Sequence, residues 1–204
     1  MKQTKPLLYT GVIAALLFWI CTVICGYVHG NYNHLNGTIS ELGALGTRSQ
    51  TLFSNLILVI SVLGICFFIG LVRACKEMGI TIIPVLPIPF LCLSLAGIAI
   101  FPQGTDWHPI VGQLSLLIIP GPFLAILLWR KKGFLPIRLL SLVSLLFIGA
   151  ALLLLLTEWA PPAFKQNYGG LIQRLFHAGW SIWFVALGIC FMACRSPTVS
   201  SGRC

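Results

Sequence analysis

Acidic residues are almost missing from this chain: Glu41, Glu77, Asp106 and Glu158 are the only four among 204 residues. Charged residues of both signs make up 8% and hydrophobic ones 58%, against about 25% charged in soluble domains. That scarcity excludes a soluble globular fold. None of the long apolar runs is expected to carry an ionisable residue near its middle, where pumps and ion-coupled transporters bind the coupled charge. A pump, a transporter of charged substrates and a channel lined by a midplane ring of polar groups are therefore disfavoured. No internal repeat is visible either, which removes support for an inverted-repeat transporter.

Further absences narrow the chemistry. The eight cysteines include no C-x-x-C pair, so thiol-redox and metal-thiolate readings are weak. Cys21, Cys25, Cys66, Cys92, Cys190 and Cys194 fall in apolar runs, and Cys75 and Cys204 on the basic side, so no disulfide framework is expected. The four histidines show neither H-x-x-x-H nor H-E-x-x-H, and no metal or cofactor is assigned.

What the chain does have is six apolar runs, about residues 8–28, 52–73, 79–101, 110–129, 135–157 and 171–194. Each is long enough to cross a hydrocarbon core about 30 Å thick at 1.5 Å per residue. The expected fold is an all-α integral membrane protein, a single bundle of six transmembrane helices over residues 1–204 with no soluble domain. The first run is longer than a signal h-region and no A-x-A site follows it, so it reads as a retained helix. Ten of the 13 Lys and Arg lie in the tails and in every second loop: Lys2, Lys5, Arg73, Lys76, Arg130, Lys131, Lys132, Arg138, Arg195 and Arg203. The positive-inside rule then places both termini in the cytoplasm. A net charge of +9 distributed by topology in this way points to inner-leaflet lipids and not to nucleic acid.

Prolines and glycines differentiate the spans. Pro84, Pro87 and Pro89 in the third, and Pro120 and Pro122 in the fourth, predict kinked helices packed inside the bundle. Gly64, Gly70 and Gly179 predict close helix approach. The fifth span, with its run Leu152–Leu156, reads as facing lipid.

The polar groups collect on the opposite, outer side. The first loop there holds His29, His34, Ser40, Glu41 and Arg48; the second holds Asp106 and His108; the third holds Glu158 and Lys165 and leads into Gln173, Arg174 and His177. Arg174 and His177 share a helix face at i, i+3. An arginine inside the last span, on the side the charge rule disfavours, costs on the order of 1–3 kcal/mol unless it is paired. Glu41 is the expected partner, then Asp106, then Glu158. The functional reading is an outer-leaflet site that binds an anionic lipid or amphiphile and has the groups to process it. In that reading Arg174, Arg48, Gln173 and Ser40 hold the ligand, and His108, His34, His177, Glu41 and Asp106 supply acid/base chemistry. The competing reading is a non-catalytic assembly or interaction protein whose polar loops are structural.

The run Ile39-Ser40-Glu41-Leu42-Gly43, the pair Phe101-Pro102 followed by His108, and Gly170-Leu171-Ile172-Gln173-Arg174 together resemble the domain-of-unknown-function 998 family, small six-helix membrane proteins found mostly in prokaryotes. The resemblance spans nearly the whole chain and implies the fold, a bacterial inner (plasma) membrane location, and a shared polar site including Glu41, His108 and Arg174. This sequence has Gln173 where that family pattern has an acidic residue, which removes one candidate partner of Arg174. The outer-face inventory of three His, Ser40 and Asp106 is also similar to that of seven-helix intramembrane zinc hydrolases, although the helix count and spacing differ.

Overall fold

The computed structural model describes residues 4–157 and 160–193. Glu158, Trp159, Lys2, Cys194, Arg195, Arg203 and Cys204 lie outside the described residues. The elements in chain order are α1 (Thr4–His29), α2 (Gln50–Glu77), α3 (Ile88–Ile100), α4 (Trp107–Gln113), α5 (Pro120–Leu128), α6 (Leu135–Leu156) and α7 (Pro162–Ala193), with short 3-10 turns between them. Among the described residues six stretches are long and apolar enough to cross a membrane, α4 and α5 together forming one. Helix is forced on such runs because the bilayer offers no partner for backbone N–H and C=O groups. An even number of crossings returns the described ends of the chain to one end of the bundle. The other end, carrying the 30–49 and 101–106 loops, is called the polar end below; Leu45 N–H and Gln103 C=O join the two loops at 3.0 Å.

α7 is the most deeply buried span and packs chiefly against α6 and α1. Its inward face carries Phe176, His177, Trp180, Trp183, Phe184 and Leu187, which join Phe18 of α1 and Phe67 of α2 in one core. Glycine makes these approaches possible: a Cβ at Gly64 would stand 2.5 Å from Cys92 Sγ, and one at Gly179 2.5 Å from Ile148 Cγ1. α6 buries Ile137, Ser141, Ser144, Ile148 and Ala151 and leaves Leu139, Leu142, Leu146, Leu153 and Leu156 exposed, the face expected to meet lipid. Cys21, Cys25, Cys66, Cys92 and Cys190 are free thiols.

Two expectations are corrected. The prolines of the third span do not kink a helix: Pro84 sits in a 3-10 turn, Pro87 is the residue before α3, and Pro89 lies in its first turn. Proline is tolerated there because the first N–H groups of a helix have no acceptor anyway. The last helix also begins earlier than its apolar run, at Pro162, with a break at Tyr168 (φ −127°, ψ 17°) just before Gly169-Gly170.

The fourth span is the broken one. α4 ends at Gln113, residues Leu114–Ile118 form a 3-10 turn, and α5 starts at Pro120. Pro120 and Pro122 cannot donate backward, which frees carbonyls of the preceding turn. Irregular backbone at membrane depth survives where it is buried in protein or lines a cavity, and here it does the latter.

Candidate functional site

Two groups of polar side chains meet at the polar end, along the stretch of α7 that follows the Tyr168 break. The first is a latch around Arg174. Its Nη1 donates to Gly170 O at 2.8 Å and Gly37 O at 3.0 Å; its Nη2 donates to the Tyr32 hydroxyl at 2.9 Å and His34 Nδ1 at 2.9 Å. The guanidinium also lies 5.7 Å from the Tyr32 ring centroid. Tyr32 in turn donates its hydroxyl proton towards Gly37 O (2.8 Å) and Thr38 O (2.7 Å). Backbone completes the seam: Gly170 N–H to Asn36 O at 3.1 Å and Leu171 N–H to Leu35 O at 2.9 Å. The first N–H groups of the helix that follows the Tyr168 break, which lack intrahelical acceptors, are thus satisfied by the first loop. Gly170 is required here, because a Cβ on it would collide with Gly37 O.

The carboxylate expected beside Arg174 is not Glu41 or Asp106. Glu41 accepts from Thr38 Oγ1 at 3.1 Å inside the 3-10 turn Ile39–Gly43, and Asp106 stands exposed before α4 without a side-chain capping bond. Among the described residues four neutral acceptors take the four terminal N–H groups instead, which satisfies the arginine geometrically. Burial pushes the Tyr32 hydroxyl above its ordinary value of 10.0, with Arg174 pulling it back. His34 is held below its ordinary 6.5, first by partial burial of its ring and then by the charge of Arg174.

The second group lines a half-open cavity of about 360 Å³ bordered by α1, α3, α4, α6, α7 and the 3-10 turns of the first loop and the fourth span. Its polar lining is Ser40, Ser94, His108, Gln113, Ser115, Gln173 and His177, and its apolar walls include Phe18, Leu95, Ile98, Leu116 and Leu155. A neighbouring cavity of about 300 Å³ shares Ser115, Leu116, Leu155, Gln173 and His177 and continues between α6 and α7 along Ala151, Leu152 and Phe176. Gln173 is fixed by Ile39 N–H donating to its Oε1 at 2.6 Å, and its Nε2 points to Ser40 Oγ at 3.5 Å. Gly112 C=O accepts from Ser94 (3.2 Å) and Ser115 (2.7 Å), tying α3 to the break in the fourth span.

Each histidine in this cavity has one nitrogen committed. His108 Nδ1 lies 2.8 Å from Phe101 O, and His177 Nδ1 accepts the Trp180 indole N–H at 2.8 Å. The His177 ring also stacks against Phe18, with centroids 4.7 Å apart.

Of the residues expected to share one site, Ser40, His108, Gln173 and His177 meet in the cavity, and His34 meets Arg174 in the latch. Glu41 and Asp106 line neither cavity, and Arg48 is exposed on the loop before α2. Lys165, another cation out of place by the charge rule, donates to Leu155 O at 3.0 Å. Sequence reasoning missed Tyr32, Ser94, Ser115 and Gln113. An aromatic hydroxyl beside Gly30 is a weak signal, and serines in an apolar run carry none. Among the described residues no three His, Cys, Asp or Glu side chains group as metal ligands would.

A family model described as protein of unknown function (DUF998) matches residues 12–190. No curated protein and no solved structure matches the chain.

Proposed function

The chain belongs to the DUF998 family of multi-pass membrane proteins, and from that premise we propose that it binds a membrane amphiphile in the cavity beside Gln173 and His177. One observation carries the reading: the paired cavities place convergent polar groups at one end and apolar walls leading between α6 and α7 at the other. A ligand site is ordinarily a concave, mostly apolar pocket with a few placed polar groups. A lipid's headgroup would lie against Ser40, His108, Gln173 and His177, and its chain along Leu116, Leu152 and Leu155. His108 and His177 are the members of the expected acid/base set through which any chemistry on a headgroup would run. The polar end is read as the outer face of a bacterial inner membrane, in keeping with the basic loops at the opposite end.

The competing reading, an assembly or interaction protein with structural loops, draws on Arg174, whose terminal N–H groups all bind the protein's own atoms. That accounts for the latch and leaves the cavity without a use. Gly112 separates the two readings. It lines the cavity, and a Cβ there would find its nearest neighbour, Ile98 Cγ2, at 4.0 Å, so Gly112→Phe fills the space without a clash at the backbone. Protein purified in a neutral detergent should retain an amphiphile at near-stoichiometric amount by mass spectrometry of extracted lipid. Gly112→Phe should lose it while melting at the wild-type temperature. Wild-type protein carrying only bulk lipid, or equal retention by the variant, would overturn the proposal.

A further inference from the structure

The hydrogen bonds that commit one nitrogen of each cavity histidine decide what the other can do, and the geometry points to an uncharged, hydroxyl-bearing amphiphile as the occupant: a long-chain alcohol or an acylglycerol. This inference rests on the cavity reading above and names its ligand class.

An indole N–H only donates. His177 Nδ1, 2.8 Å from Trp180 Nε1, must therefore present a lone pair, and an imidazolium has none. His177 is neutral with its proton on Nε2. A carbonyl only accepts, so His108 Nδ1, 2.8 Å from Phe101 O, carries a proton, and in its neutral form the ring offers a lone pair on Nε2. The two rings thus leave the cavity one N–H donor and one acceptor. A hydroxyl group answers both, accepting from His177 and donating to His108. An ether oxygen answers only the first.

Charge points the same way. Among the described residues neither cavity is lined by Lys, Arg, Asp or Glu, so an ionised headgroup would meet no counter-charge from them and lose hydration there. Arg174, adjacent to Gln173 in sequence, has its four terminal N–H groups engaged by Gly37, Gly170, Tyr32 and His34. An anionic headgroup would have to break the latch to reach it.

The test uses the full chain in phosphatidylcholine nanodiscs and a long-chain primary alcohol carrying a diazirine in its chain, with labelled peptides mapped by mass spectrometry. Competitors are the untagged alcohol, its methyl ether and an alkyl phosphate of equal length. Labelling should fall on peptides containing Leu116, Leu152 or Leu155. The alcohol should displace the probe at concentrations about tenfold below those of the ether and the phosphate, one lost hydrogen bond being worth about that factor. His108→Asn keeps an amide N–H for Phe101 O, and His177→Asn keeps an amide oxygen for Trp180; both delete the Nε2 function. Each should weaken labelling about tenfold, with the melting temperature of His108→Asn unchanged. If the phosphate displaces the probe as well as the alcohol does, or better, the ligand class is wrong while the cavity reading survives. Equal displacement by ether and alcohol likewise overturns the donor–acceptor pair. Labelling that avoids these peptides with every probe overturns the cavity reading and this inference with it.

Discussion

Arg174 concentrates the energetics of the polar end in one side chain. Its four terminal N–H groups reach two carbonyls, a phenol and an imidazole. Removing the guanidinium leaves Gly37 O and Tyr32 partly buried with fewer partners, and the loss of bonds to a charged donor costs about 1–3 kcal/mol. Arg174→Met should therefore lower the melting temperature in detergent. Adding Glu41→Gln should recover nothing, because Glu41 bonds Thr38 and not Arg174; recovery in the double variant would restore the carboxylate pairing. His34 supplies a pH signature. Its ring accepts from Arg174 and so must be unprotonated at Nδ1; the charge acting on it is that of Arg174, while the His29 ring and Glu41 lie near its neighbour Tyr32. Since its folded-state value is lowered from 6.5, the unfolded chain takes up the proton first as pH falls. The stability His34 confers is complete above pH 6.5 and declines as pH drops below it toward the lowered value. Melting curves of wild type between pH 7.5 and 5 should fall more steeply than those of His34→Gln.

At the scale of elements, the join between the first loop and α7 is mainly backbone. Gly170 and Leu171 donate to Asn36 and Leu35, and α7 begins its straight course only after Tyr168. Gly170→Ala keeps helix propensity high, being normally favourable by about 1 kcal/mol in a helix, yet here its methyl would meet Gly37 O. The loop must lift, so amide exchange at Gly170 and Leu171 should accelerate at least tenfold and the protein should melt earlier; unchanged exchange would mean that the loop is not seated on this helix. The broken fourth span works differently. Pro120 and Pro122 announce a break in the sequence, but their consequence, a 3-10 turn that presents Ser115 and Leu116 to a cavity, depends on α3 and α7 standing opposite.

For the whole molecule, the arrangement of charges makes a topological prediction. A reporter inserted within residues 105–108 should read non-cytoplasmic, as should one near Asn33, while a reporter at residue 131 should read cytoplasmic. The opposite pattern would invert the bundle and move the cavity to the inner leaflet. Burial follows the same plan. α7, α1 and α2 share the aromatic core, and α6 turns its leucines outward, so loss of the polar-end latch would loosen the loops without dissolving the bundle.

The sequence by itself determined the six crossings, the shared end of the termini and the gathering of His34, Ser40, His108, Gln173, Arg174 and His177 toward one end. A bilayer allows apolar runs of about 20 residues no structure but helix and drives charge to their ends, so composition alone imposes that plan. It also identified Gly64 and Gly179 as contact points, since a missing side chain is visible in the sequence. Only the tertiary structure decided who partners whom. Arg174 was expected to find a carboxylate because charge is legible in a sequence, but it found the carbonyls of Gly37 and Gly170, and every residue has a carbonyl. The tautomers of His108 and His177 are likewise set by a carbonyl and an indole that lie near them only once α4 and α7 are in place.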